Sequence, residues 1–262
     1  MLVPFNYLLE ALKWQSFLNE IRPIRLSTAM LAICRGVSIG IITPARIGEY
    51  LGRSINLDSD EERYQSIMAT LLGSIAQNLI TIIAGVIAIY VAFQYMSIIG
   101  LDYAYSTRIF LLVVVMILLL VYYNKTIFVW LNDRITNPLG NRFIHVMVSV
   151  NNGVKHKILL FSAIRYIIYW SQYVFILHFF NIPLGIIEGG IGVGIIYLVQ
   201  TGLPLPGSLA LLARSSIAMA VFSLWEINEI TILLASWTLW VLNLMIPALF
   251  GVVLIFKVRK FG

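Results

Sequence analysis

The chain has 262 residues, 60% of them hydrophobic and 11% charged, with a mean hydropathy of +0.91. A soluble domain carries about 45–50% apolar and about 25% charged residues, so one soluble core would leave too little polar surface. A polytopic, all-α membrane protein is expected instead. The net charge of +6 does not point to nucleic acid, because the basic residues sit at the ends of apolar runs, where they set topology and meet anionic lipid.

The first stretch, "MLVPFNYLLEALKWQSFLNE", is amphipathic, charged and too short to span. It reads as the tail of a helix followed by an interfacial segment, with Trp14 as an aromatic belt residue. Residues 26–43 are apolar, rich in small residues and interrupted by Arg35, and the run ends at Pro44. A short, broken helix of this kind is the mark of a re-entrant element. The motif "ITPARIGEYLGRS" follows, and then the polar cluster "NLDSDEER", where Ser59 or Asp60 would cap the next helix. Residues 64–96 form a long span, tilted or protruding, with Gln77 and Asn78 inside it. Residues 108–130 form a second span, 131–158 a basic connection, and 159–181 a third span carrying Arg165 and Gln172.

The pattern then breaks again. Two apolar arms, 187–202 and 208–225, flank the turn "TGLPLPGS", and Gln200 and Arg214 lie on them. Residues 230–256 form the last span before the basic end "KVRKFG". The positive-inside rule places that end in the cytoplasm. Counting back, the first hairpin, 26–53, dips in from the cytoplasm and the second, 187–225, enters from the outside. The expected fold is one transmembrane domain over 1–262, its halves about 1–130 and 131–262. Each half carries one Pro/Gly re-entrant hairpin, and together they would form an inverted repeat. Multi-pass residence in the plasma (inner) membrane follows.

On a helix starting after Pro44, Arg46, Glu49 and Arg53 share one face. Two readings stand. One is a salt-bridged helix start in the headgroup layer, with Pro44 at its first position. The other is a lipid-headgroup site in which guanidinium forks hold phosphate and Glu49 orients them. Arg35 lies within an apolar arm, where an arginine is costly and by default a functional candidate; Glu49 is its natural partner if the arms pack. Arg214 is far from both ends of its arm, which makes snorkelling awkward. Gln77, Asn78, Gln172 and Gln200 are supporting amides that also suit interhelical hydrogen bonding. Gly189, Gly190, Gly192 and Gly194 suit close helix contact and do not make a phosphate loop. Cys34 is the single cysteine, and the three histidines lack ligand spacing, so no metal, cofactor or catalytic set is expected.

These residues resemble the lysylphosphatidylglycerol synthase transmembrane region family, flippase-like integral membrane proteins. The resemblance rests on Trp14, on Pro44, Arg46, Gly48, Glu49 and Arg53, and on the turn Pro204, Pro206 and Gly207. The family's second motif often continues Pro-Gly-Gly-x-Gly with a glutamate; here Ser208, Ala210 and Ala213 stand there, and Arg214 follows. Members also begin with one or two further helices. The resemblance implies translocation of a phospholipid or other polar lipid by the membrane part alone. Two alternatives stay open: a membrane-embedded transferase on a lipid-linked substrate, and a non-transporting assembly subunit. Whether the chain forms a homo-oligomer stays open too.

Overall fold

The computed structural model describes residues 2–43, 46–55, 57–98, 105–132, 138–201 and 207–259, and these are organised as helices. In chain order they are α1 Val3–Leu18, α2 Leu26–Gly40, α3 Gly48–Ser54, α4 Asp60–Ile98, α5 Tyr105–Tyr123 and α6 Lys125–Asn132. Then follow α7 Pro138–Ser149, α8 Asn152–Phe179, α9 Ile186–Thr201, α10 Gly207–Phe222, α11 Glu229–Trp240 and α12 Ile246–Arg259. A π-helical turn, Val241–Met245, joins α11 to α12. Among the described residues, three stretches are long and apolar enough to cross a membrane: Asp60–Gln94, Asn152–Phe179 and Glu229–Val253. The molecule therefore has the make-up of an integral membrane protein.

Local chemistry accounts for the helix starts. The Ser59 hydroxyl accepts from the Glu62 amide at 3.1 Å, satisfying one of the four donors left open at a helix N-terminus. Asn151 and Asn228 cap α8 and α11 in the same way. α4 has 39 residues, about 58 Å at 1.5 Å per residue, well beyond a hydrocarbon core of about 30 Å. The expected span over 108–130 does not form one helix. It divides at Asn124, whose side chain accepts from the Thr126 amide at 2.9 Å and starts α6 anew. One side of α5 exposes Phe110, Met116, Ile117 and Leu120, as a lipid-facing surface would.

The N-terminal stretch also departs from expectation. It is one helix, and Trp14 is 1% exposed rather than a belt residue. Its indole N–H donates to the Ser66 carbonyl of α4 at 3.4 Å. Leu72, Ile33 and Ile158 complete the apolar cluster that α1 enters. A second cluster, around Val193, Ile196, Phe222 and Ile232, joins α8 to α9, α10 and α11.

Two pairs of short helices occupy the positions of the expected hairpins. α2 and α3 run antiparallel in close contact, because glycine faces glycine. A Cβ on Gly52 would lie 2.8 Å from the Gly36 Cα, and one on Gly48 would lie 2.6 Å from the Ile39 carbonyl oxygen. Lipid tails are as apolar as leucine, so membrane helices associate through close packing, and small residues permit it. The outer side of α3, with Ile47, Leu51 and Ile55, is exposed. α2 is held from behind by α12, where the Ser38 hydroxyl donates to the Ala248 carbonyl at 2.8 Å. α9 and α10 form the second pair, and their glycines each meet a different neighbour: Gly190 meets Trp170, Gly192 meets Phe222 and Gly194 meets Ala88. Pro44, Pro204 and Pro206 lie outside the described residues, and Gly207 opens α10. Gly48, not Pro44, begins α3.

Gly52→Ala should lower the melting temperature of the purified protein in detergent, since overpacking of this kind costs about 1–3 kcal/mol. Gly73→Ala is the control. Its Cβ would meet nothing within 4 Å, so its melting temperature should be unchanged or raised by the better helix former.

Candidate functional site

A cavity of about 410 Å³ lies between the two apolar clusters and is lined from α1, α2, α3, α4, α8, α9, α10, α11 and the π turn. Among the described residues, five cationic side chains reach it: Lys13, Arg46, Arg53, Arg165 and Arg214. Two carboxylates answer them, Glu10 and Glu49. An isolated charge in such surroundings costs several kcal/mol, so the pairing of each one matters.

Glu10 takes most of that charge. It is 6% exposed, and α1 places it one helical turn before Lys13, whose ammonium lies 2.7 Å from its Oε2. Arg53 of α3 approaches its Oε1 at 3.1 Å, and Arg165 of α8 donates to its Oε2. One carboxylate thus gathers cations from three helices. The surroundings hold those cations in place. Lys13 also reaches the Gly73 carbonyl and the Gln77 Oε1, each at 3.4 Å. Arg165 lies over the Tyr169 ring at 5.4 Å and donates to its hydroxyl at 3.3 Å. Gly36 matters here as well, since a Cβ there would lie 2.8 Å from the Arg53 Cγ.

Glu49 forms the second centre. It accepts from Arg46, and Arg53 lies 3.9 Å away on its other side. Both arginines of the motif reach Glu49, though only Glu49 and Arg53 lie on α3. Arg46 precedes α3 with φ at +58°, in the left-handed region that side chains other than Gly, Asn and Asp seldom occupy. Strain of this sort is retained where surrounding contacts require it; the Arg46–Glu49 pair and the Thr43 hydroxyl, which accepts from the Gly48 amide at 2.8 Å, shape this turn.

Arg214 reaches the cavity from α10 and has no ion-pair or hydrogen-bond partner among the described residues. Of the supporting amides, Gln77, Asn78 and Gln200 line the cavity. Gln77 also donates to the Ser162 carbonyl at 3.3 Å, tying α4 to α8. Gln172 lies elsewhere and accepts from Asn6 at 3.3 Å, an interhelical bond. Arg35 is buried on α2 but outside the cavity lining, and the expected Arg35–Glu49 pair does not form. Arg46 and Arg53 have taken Glu49, because Gly36 and Gly40, not Arg35, face α3.

Sequence reasoning missed Glu10 and Lys13 as site residues and noted Arg165 only in passing. Their signal was an i, i+3 acid–base pair inside the apolar run "LLEALKW", discounted because the segment is too short to span. The tyrosines around the cavity carried no sequence signal. Tyr7 donates to the Asn243 carbonyl at 2.8 Å, at the π turn, a helix defect often found at functional sites. Tyr173 pairs with Ser236 at 2.6 Å, and Tyr197 donates to the Tyr169 carbonyl at 3.2 Å.

Glu10→Gln leaves three cations facing one neutral amide. It should destabilise the protein by about 3 kcal/mol or more, the usual cost of breaking a buried pair, read as a lowered melting temperature in detergent. Adding Lys13→Met should recover part of that loss. No family model, curated protein or solved structure matches the chain.

Proposed function

We propose that the protein binds a polar lipid by an anionic, phosphate-bearing headgroup in this cavity and moves it between leaflets. The excess of five cations over two carboxylates in one cavity carries this reading. The cavity sits inside a helical body of membrane-spanning make-up, so its ligand arrives from the bilayer or its surface. Guanidinium groups suit phosphate because their donors match its oxygens in pairs. The α2–α3 and α9–α10 pairs act as opposed re-entrant hairpins, in an inverted repeat of which one part moves against the other. The glycine-rich α9 opens laterally, and the acyl chains stay in lipid. The C-terminus is cytoplasmic and the membrane is the plasma membrane. The motif resemblance to the lysylphosphatidylglycerol synthase transmembrane region family supports the same class of substrate.

An assembly subunit that transports nothing would pair its hairpin charges internally and close the space between them. Arg46, Glu49 and Arg53 are indeed paired, but the cavity stays open and Arg214 has no counter-charge among the described residues, which favours translocation over that reading. A transferase would need a positioned base next to its substrate, and both cavity carboxylates are already engaged by cations.

The test is translocation of a fluorescent anionic phospholipid in liposomes, read by quenching from the outside. Wild type should accelerate the exchange. Arg46→Ala and Glu49→Gln should each slow it on the order of tenfold, the value of one charge-assisted hydrogen bond. Equal and poor rates for all three proteins would remove the support for transport.

A further inference from the structure

The cations of the cavity are unequal. Lys13, Arg53 and Arg165 converge on Glu10 and are committed to holding α1, α3 and α8 together. Among the described residues Arg46 is held by Glu49 alone; its Nε, like those of Arg53 and Arg165, is buried without an acceptor. Arg214 has no counter-charge among the described residues. Arg46 and Arg214 come from different helix pairs and line the same cavity, as does Tyr169. Two arginines facing one cavity, one paired with a single carboxylate and one with no counter-charge among the described residues, mark a place for an anion.

Resting on the phosphate-headgroup reading above, we propose that one anionic group binds between Arg214 and Arg46, and that Arg46 leaves Glu49 to reach it. The ligand thus replaces an ion pair within α2–α3 by a bridge between α2–α3 and α9–α10. Glu49 competes with the ligand for Arg46 and keeps a partner after the exchange, since Arg53 is already 3.9 Å away. Both helix pairs flank the cavity, so the exchange joins them through the ligand. Arg46 stands ahead of α3 with a positive φ.

The experiment measures binding of three probes to the purified protein in detergent by titration calorimetry: dihexanoyl phosphatidic acid, dihexanoylglycerol and inorganic phosphate. Wild type should bind phosphatidic acid and not the neutral diacylglycerol. Arg214→Gln should weaken that binding tenfold or more, the value of a charge-assisted hydrogen bond. Its ligand-free melting temperature should not fall, because an uncompensated charge is removed. Arg214→Lys, which keeps the charge, should retain more affinity than Arg214→Gln. Glu49→Gln should bind phosphatidic acid more tightly than wild type while translocating it more slowly. Arg46→Gln and Arg214→Gln together should cost less than the product of their separate losses, since both hold one anion. Wild-type affinity in Arg214→Gln, or weakened affinity in Glu49→Gln, would overturn the proposal. Arg214-dependent binding of inorganic phosphate as tight as that of phosphatidic acid would keep the anion bridge and overturn the lipid reading. Translocation that persists in Arg214→Gln would keep the lipid reading and overturn the bridge.

Discussion

The structure depends on the Glu10 carboxylate. Three cations meet it from α1, α3 and α8, so these helices cannot separate without stranding charge in an apolar environment. Each ion alone would be costly there. Together they offset one another, with Gln77, Tyr169 and the Gly73 carbonyl taking up further donors. Leu51 of the short α3 and the flanking Ile47 and Ile55 face outward, so α3 is held by its opposite side, where Arg53 reaches Glu10 and the glycines meet α2.

That arrangement has a geometric condition. Arg53 reaches Glu10 only because α3 lies almost backbone to backbone against α2, and Gly36 and Gly52 make that possible. Small residues and ion pairs therefore act together, and neither set explains the hairpin alone. What the Glu10 centre does not absorb is left for the cavity. Arg46 keeps a single carboxylate, and Arg214 has none among the described residues. The carboxylate that gathers three helices and the arginine with no counter-charge among the described residues thus share one space.

Much of the helical layout was legible because it is local. The arms 187–202 and 208–225 lie close to α9 and α10, and 26–43 is close to α2, since Gly, Pro and charged residues punctuate helices wherever they stand. The meeting of Arg46 and Arg53 at Glu49 is legible for the same reason, although Arg46 stands outside α3 rather than on the face the spacing predicts. Asn124 was not read as a break, because a single amide in a long apolar run looks like a tolerated polar residue until its capping bond is seen. The first twenty residues were misread more seriously. Length excludes a spanning helix and the aromatic suggests a belt, but Trp14 and one side of α1 are buried against α4 and α8 while Phe5 is exposed.

The sequence by itself determined the class of molecule: helical, of membrane-spanning make-up, with small-residue breaks flanked by arginines. Composition and punctuation are properties of neighbouring residues, so they survive without knowledge of the fold. Only the tertiary structure decided which charges meet. Arg165 and Glu10 are 155 positions apart, and Arg35, which looked the natural partner of Glu49, is turned away by the glycine face beside it. Charges in a low-dielectric interior are governed by their nearest opposite, and the nearest opposite is chosen by how helices pack, which no local pattern contains.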